Sequence, residues 1–125
     1  MKKKIRNLIY PLGLMGLLTM LTISCTKDTT GDAKNLTGTT WKFSDTNNGV
    51  NLVETIKFTS STVFSGNDVY TGESNSQLSL SGNYSYNPPN INIVINNETY
   101  TGTISGAAMC LTTKLWDVNV YIKQQ

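Results

Sequence analysis

The chain has 125 residues, of which 38% are hydrophobic and 14% are charged, and this length is typical of a single domain. It contains no histidine, which excludes serine–histidine hydrolysis and removes the commonest general base and the commonest metal ligand. The formal net charge is +2. Four of the basic residues fall within the first six positions, so the charge of the remaining chain has to be counted separately.

The amino terminus combines this basic start with an apolar run. The run covers residues 8–23 and is interrupted by Pro11 and two glycines. A membrane-spanning helix needs about 20 consecutive apolar residues, so the shorter, interrupted run predicts a cleaved signal peptide over residues 1–24. A retained apolar anchor is the alternative.

The run ends in Ile23-Ser24-Cys25, which resembles the lipobox of bacterial lipoproteins. The resemblance implies that Cys25 is lipidated and becomes the first residue of the mature protein, with its diacylglycerol and acyl chains and no other cofactor. Two or three acyl chains hold a protein stably on a membrane. We therefore expect an outer-membrane lipoprotein of a Gram-negative bacterium, which faces the periplasm or the cell surface.

Residues 25–37 are polar and show no periodicity, which is typical of a flexible tether. Lys27-Asp28 resembles a motif that exports some lipoproteins to the cell surface, and a solvated linker is the alternative. The sequence Asp28-Thr29-Thr30 resembles a bacterial O-glycosylation acceptor, which would make Thr29 the modified residue.

After removal of residues 1–24, six lysines stand against eight acidic residues, a net charge of −2. Nucleic-acid binding requires clustered lysine or arginine, so we expect no nucleic-acid partner. The two cysteines are Cys25 and Cys110. If Cys25 is acylated, Cys110 is a small buried side chain without an intramolecular partner, whereas a Cys25–Cys110 disulfide is the alternative.

From residue 38 onward, apolar residues recur at every second position, which is typical of half-buried strands. Glu54 falls in the apolar row of its strand, and Gly82 in another, where it suggests a bulge or a sharp bend. No run shows helical spacing over three turns. The alternating apolar rows are Trp41 and Phe43; Leu52, Ile56 and Phe58; Leu78, Leu80, Tyr84 and Tyr86; Ile91, Ile93 and Ile95; Tyr100 and Ile104; Met109 and Leu111; and Trp116, Val118, Val120 and Ile122.

Turn-forming sequences separate these runs at residues 59–62, 87–90, 96–97, 105–106 and 112–114. Short strands joined by tight turns indicate an antiparallel meander, and about eight strands can close and so remove exposed edges. We predict an all-β domain over residues 38–125, a small up-and-down barrel of about eight strands, with a two-sheet sandwich as the alternative.

Gly38 and Trp41 on the first strand, followed by a meander, resemble the lipocalin-like barrels. The resemblance covers residues 38–123 and implies that Trp41 closes one end of the barrel while ligands enter at the other. The domain has only about 85 residues, and the large inward set predicts an interior filled by side chains or holding one small ligand.

No residue pattern points to catalysis, so we expect no enzyme activity and no catalytic residue. The acids are scattered and are interpreted as surface charges, with Glu54 at the barrel rim. The sequence "DTNNG" at residues 45–49 lacks the glutamate of a calcium loop and reads as a polar turn, and no metal site is expected. Ligand-binding residues are left unassigned.

Two functions remain open. One is an anchored envelope protein that binds a small apolar ligand or an envelope component. The other is a structural or interaction module with a filled barrel, which meets an envelope protein partner through its surface.

Overall fold

The computed structural model describes residues 34–113 and 117–125, and these residues form strands and turns without a helix, which confirms the all-β prediction. The alternation of apolar and polar residues produces the strands because an extended chain sends successive side chains to opposite faces. The eight strands are β1 (Thr40–Asn47), β2 (Val50–Phe58), β3 (Val63–Thr71), β4 (Ser76–Asn87), β5 (Asn90–Ile95), β6 (Glu98–Ser105), β7 (Ala108–Thr112) and β8 (Val118–Lys123).

Each strand pairs antiparallel with the next, and β8 pairs with β1, so the sheet is a closed up-and-down barrel. The closing contact joins Trp41 to Lys123 and Lys42 to Ile122. Closure leaves none of these strands with an unpaired edge. The barrel prediction is confirmed, and the two-sheet sandwich is not the fold.

One side-chain parity faces the interior all the way around the barrel. Trp41 is opposite Ile56, Phe58 is opposite Phe64, and Met109 is opposite Tyr121. Residues that are directly opposite in an antiparallel pair point to the same face, so the interior row passes from strand to strand. We call these residues the inward row.

The barrel has two distinct ends. Turns 48–49, 72–75 and 96–97 lie at one end, together with Thr113 and Asp117, and we call this the open end. Turns 59–62, 88–89 and 106–107 lie at the other, which we call the closed end. Residues 36–39 lead into β1 there, and Gly38 N–H donates to the Phe58 carbonyl at 2.7 Å.

Two open-end turns have the backbone of tight hairpins. Asn48 and Gly49 have φ of 50° and 78°, and Asn96 and Asn97 have φ of 51° and 66°. Two successive positive φ values are what a two-residue hairpin turn needs, and asparagine and glycine tolerate them. The 96–97 turn is as predicted, whereas the predicted turn at 105–106 lies one residue later, at Gly106 and Ala107.

Large apolar side chains fill the half of the barrel next to the closed end. Trp41 is 1% exposed and its Nε1–H donates to Thr39 Oγ1 at 2.9 Å. The rings of Phe58 and Tyr84 pack with centroids 4.5 Å apart. The other members of this core that lie in the closed half are Leu36, Ile56, Phe64, Ile91, Ile104 and Met109.

Gly82 lies in the inward row of β4, but no bulge occurs there, since its pairing is one-to-one with Phe64 and with Ile95. A Cβ at this position would stand 2.0 Å from the Val94 carbonyl oxygen and 2.9 Å from Cε1 of Phe64. Glycine is therefore required at position 82, because a side chain there would collide with the β5 backbone and with the Phe64 ring.

Two strands differ from the sequence interpretation. In β8 the buried residue is Tyr121, at 3% exposure, whereas Val118 and Ile122 are 52% and 36% exposed. The apolar row chosen for β8 is therefore the outer one, because Tyr121 stands opposite Met109. The sequence also gives no alternating apolar row for β3, whose inward residues include Gly66 and Asp68.

Cys110 lies on β7 with 6% exposure and is disulfide-bonded. The expectation that Cys110 has no disulfide partner is therefore wrong. The only other cysteine of the sequence, Cys25, lies outside the described residues.

Candidate functional site

The inward row behaves differently in the half of the barrel next to the open end. Val50 and Leu78 have inward parity, yet they are 39% and 55% exposed. Leu52, Leu80 and Ile95 are half-buried. Apolar side chains that face the interior and still contact solvent line an accessible mouth, so the expectation of a filled interior holds for the closed half only.

Glu54 lies in the middle of β2, where the filled half ends. Its direct neighbours are Phe43 on β1 and Asp68 on β3, all three in the inward row. The interpretation of Glu54 as a rim residue is therefore wrong: the strand begins at Val50 and carries Glu54 inside. It forms part of the floor of the mouth.

The pKa of Glu54 is raised from 4.5 to about 7: burial is the largest cause, the Asp68 charge also raises the pKa, and a hydrogen bond with the Tyr121 hydroxyl lowers it. Burial dominates because a partly buried carboxylate loses hydration that its neighbours do not replace. Near neutral pH, Glu54 is therefore partly protonated.

Asp68 is the second carboxyl group in the floor of the mouth, and burial raises its pKa as well. Its Oδ1 exposes less than 1 Å² and accepts no hydrogen bond from residues 34–113 or 117–125. Such buried acceptors are uncommon in proteins and are costly when unsatisfied. The interpretation of Asp68 as a surface charge is therefore wrong.

Aromatic side chains complete the floor. The rings of Phe43 and Tyr121 pack with centroids 5.5 Å apart. Burial and then the Glu54 charge raise the pKa of Tyr121, so its hydroxyl stays protonated and remains a donor. Tyr70, the next inward residue after Asp68, also has a raised pKa, through burial and then the charges of Asp68 and Glu54.

The rim of the mouth carries a shallow cavity beside the β3–β4 turn. Its volume is about 270 Å³, and residues of both faces of the sheet line it: Val69, Tyr70, Thr71, Asn75, Ser76 and Gln77. The Asn75 side-chain oxygen accepts a hydrogen bond from Gly72 N–H at 3.2 Å, which fixes the turn. A cavity of this size accommodates a small organic molecule or several waters.

Of the residues singled out by sequence, Cys25 and Thr29 lie outside the described residues, so their predicted lipidation and glycosylation stay predictions. Trp41 is core, as the resemblance implies. The 45–49 sequence is the end of β1 followed by the Asn48–Gly49 turn. Among the described residues, no three histidine, cysteine or acidic side chains are grouped to hold a metal ion.

Sequence reasoning missed Asp68 and Tyr121 as site residues. The only available signal was the parity of Glu54, which points inward. Asp68 was not recognised because β3 lacks an alternating apolar row. Tyr121 was not recognised because the opposite face of β8 is richer in valine and isoleucine. Strand register, which brings both residues to Glu54, is a tertiary property.

No described helix is long and apolar enough to cross a lipid bilayer. Comparison of the chain with protein-family models, with curated proteins and with solved structures found no match.

Proposed function

We propose that this protein is a lipid-anchored protein of the Gram-negative envelope that binds a small molecule in the open half of its barrel and catalyses no reaction. One observation carries the binding proposal: apolar inward-row side chains remain exposed at the open end, with Leu78 at 55%. Burying this surface under a ligand is favourable by about 25 cal/mol per Å² of apolar area.

The position of Trp41 supports the same end of the barrel. In the lipocalin-like proteins that the sequence resembles, ligands enter opposite the end that the tryptophan closes. Here Trp41 belongs to the filled closed half, and the accessible side chains are opposite. The ligand would rest on Glu54, Phe43 and Tyr121.

The anchor is supported by the order of the chain. Residues 36–39 reach the barrel at its closed end, so a lipid on Cys25 would draw that end towards the membrane and turn the mouth away. The described lysines all belong to this closed half: Lys34, Lys42, Lys57 and Lys123. Basic residues near anionic headgroups add about 1 kcal/mol each to membrane attachment.

A structural or interaction module is the second candidate, and the filling of the closed half favours it. Seven large side chains there and at mid-barrel have less than 2% exposure, so any ligand is confined to the open half. In this case the open end would contact an envelope protein directly.

Ligand binding is tested by native mass spectrometry of the full chain purified from its host. We expect a co-purifying mass that is lost in Leu78→Trp, which fills the mouth, and kept in Ser79→Trp, which places the same ring on the outer face of β4. Protein that carries no additional mass in any form would favour the interaction module.

The anchor is tested by labelling cells with an alkyne analogue of palmitate. Cys25→Ala should abolish labelling and release the protein from membranes, whereas Cys110→Ala should leave labelling intact. A cysteine sulfur that is in a disulfide cannot also carry the diacylglycerol, so a lipid on Cys25 requires the disulfide of Cys110 to be formed with a second chain. An unlabelled wild type whose intact mass rises by two hydrogens on reduction would therefore overturn the anchor proposal.

A further inference from the structure

Charge is distributed unequally between the two ends of the barrel. All acidic residues of the described chain lie in the open half, except Glu54, which lies at the middle of its strand. The described lysines lie in the closed half. Lys114 lies outside the described residues. The acidic residues are Asp45, Glu54, Asp68, Glu73, Glu98 and Asp117. A concave site lined by one sign of charge concentrates ligands of the opposite sign.

Two of these carboxyl groups form an opposed pair inside the barrel. Glu54 and Asp68 are directly opposite across the β2–β3 pair and both have inward parity. Like charges directly opposite in a sheet are destabilising. The fold keeps this unfavourable pair at the floor of an accessible mouth, where a bound positive charge would relieve it.

A further observation concerns Asp68, whose side chain as a whole is half-buried: its Oδ1 atom exposes less than 1 Å² and accepts no hydrogen bond from the described residues. The Tyr121 hydroxyl is directed to Glu54 instead. A buried acceptor without a donor indicates that a donor comes from outside the described residues. A ligand N–H group placed between the two carboxyl groups would supply it.

The walls above the carboxyl pair are apolar. Leu52, Leu78 and Leu80 face the interior from β2 and β4, and the Phe43 and Tyr121 rings lie beside Glu54. A ligand that fits these surfaces therefore carries its charge at one end and an apolar body at the other. Aromatic faces also attract organic cations.

Resting on the proposed binding function, we infer that the mouth takes a small organic cation: an ammonium group on an apolar body, with its nitrogen between Glu54 and Asp68 and its carbon chain against the leucines. An ammonium group has three N–H donors and no acceptor, which matches two carboxyl groups and one unsatisfied oxygen. A divalent metal ion fits less well, because calcium takes six to eight oxygen ligands.

The test compares hexylammonium with hexanoate, which have the same carbon chain length and opposite charge. The full chain is held in nanodiscs of zwitterionic lipid, with empty nanodiscs as the blank, and binding is followed by shifts of the backbone amide NMR signals of the open half. We expect hexylammonium to bind at least tenfold more tightly than hexanoate at pH 8. Equal or tighter binding of hexanoate would overturn the inference while leaving mouth binding intact.

Variants locate the charge that matters. Glu54→Gln combined with Asp68→Asn should weaken hexylammonium binding about tenfold or more, because hydrogen bonds to charged groups contribute about 1.5–3 kcal/mol. Lys42→Gln, which removes one charge from the closed half, should leave the affinity within about twofold. Unchanged affinity in the double variant would contradict the assigned position.

The inference and the proposed function fail in different ways. If neither compound shifts the open-half signals, the cation inference is overturned. The proposed binding function fails only if protein from its host also carries no ligand that Leu78→Trp displaces. The comparison of the two compounds on the wild-type chain requires no variant to fold.

Discussion

The closed and open halves of this barrel are built from the same eight strands but are stabilised very differently. The closed half contains Trp41, Phe58 and Phe64 at no more than 1% exposure. The Trp41 indole donates a hydrogen bond to Thr39, and the Tyr84 hydroxyl donates one to the Ser60 carbonyl at 2.6 Å. The open half contains opposed carboxyl groups and exposed leucine. Stability is therefore concentrated at one end, and surface that a ligand can use lies at the other.

The difference between the halves also separates two electrostatic environments. Burial raises the pKa of both Glu54 and Asp68, so the folded state holds protons that the unfolded chain releases. This arrangement lowers stability at neutral pH without improving packing. Proteins retain such unfavourable groups mainly where binding or catalysis needs them.

The largest effect should come from a core truncation in the closed half. Phe58→Ala should lower the free energy of unfolding by about 3–5 kcal/mol, because it removes a fully buried ring that packs against Tyr84. Leu78→Ala in the open half should cost less than about 1 kcal/mol. Urea denaturation followed by circular dichroism measures both, and similar losses would refute the proposed contrast between the halves.

A second, intermediate effect should be a gain in stability at the mouth. Glu54→Gln removes a carboxyl group whose folded pKa is about 7 against 4.5 in the reference state. Because the folded pKa is raised, its contribution to stability is complete below about pH 4.5 and is lost as pH rises to 7 and above. At pH 8 the variant should be more stable than wild type by about 2–3 kcal/mol.

At pH 4 the two proteins should have nearly the same stability, since Glu54 is then protonated in both the folded and the unfolded state. Chemical denaturation at pH 4, 6 and 8 gives this difference directly. Glu73→Gln, in the β3–β4 turn, is the matched control and should change stability by less than about 0.5 kcal/mol at each pH. A pH-independent difference between Glu54→Gln and wild type would contradict burial of this carboxyl group.

The smallest expected change in stability concerns the hydrogen bond of Trp41 at the closed end. Thr39→Val removes the hydroxyl that accepts from Trp41 Nε1 and donates to the Leu36 carbonyl at 2.6 Å. We expect a loss of about 1–2 kcal/mol, because the buried indole N–H is left without an acceptor. Thr46→Val, which removes an exposed hydroxyl bonded to Asn51, serves as control, and an equal loss in both variants would show that the Trp41 bond adds nothing.

Sequence reasoning recovered the fold class, the strand number and most of the interior, because period-two patterns such as Ile91, Ile93 and Ile95 are local. It assigned Trp41 to the core correctly. It failed at β3, where Gly66 and Asp68 occupy inward positions, and at β8, where the more hydrophobic face is outside. In both strands the neighbours across the sheet, rather than the local pattern, decide which face is buried.

The site was harder to predict than the fold for the same reason. The inward parity of Glu54 was visible in the sequence, but its meaning depended on where the strand begins. Strand register places Asp68 opposite Glu54 and brings Tyr121 within hydrogen-bonding reach of Glu54. Only this register brings the three residues, which are far apart in the sequence, together at the mouth.

By itself, the sequence determined that the chain from residue 38 onward is a β domain with alternating faces, tight turns and a tryptophan in its core, since these depend on local periodicity and turn chemistry. The tertiary structure decided that the sheet closes, that its two ends differ, and that the acidic residues gather at one of them. These features arise from pairing between strands far apart in the chain, as between Trp41 and Lys123, and local patterns do not specify such pairing.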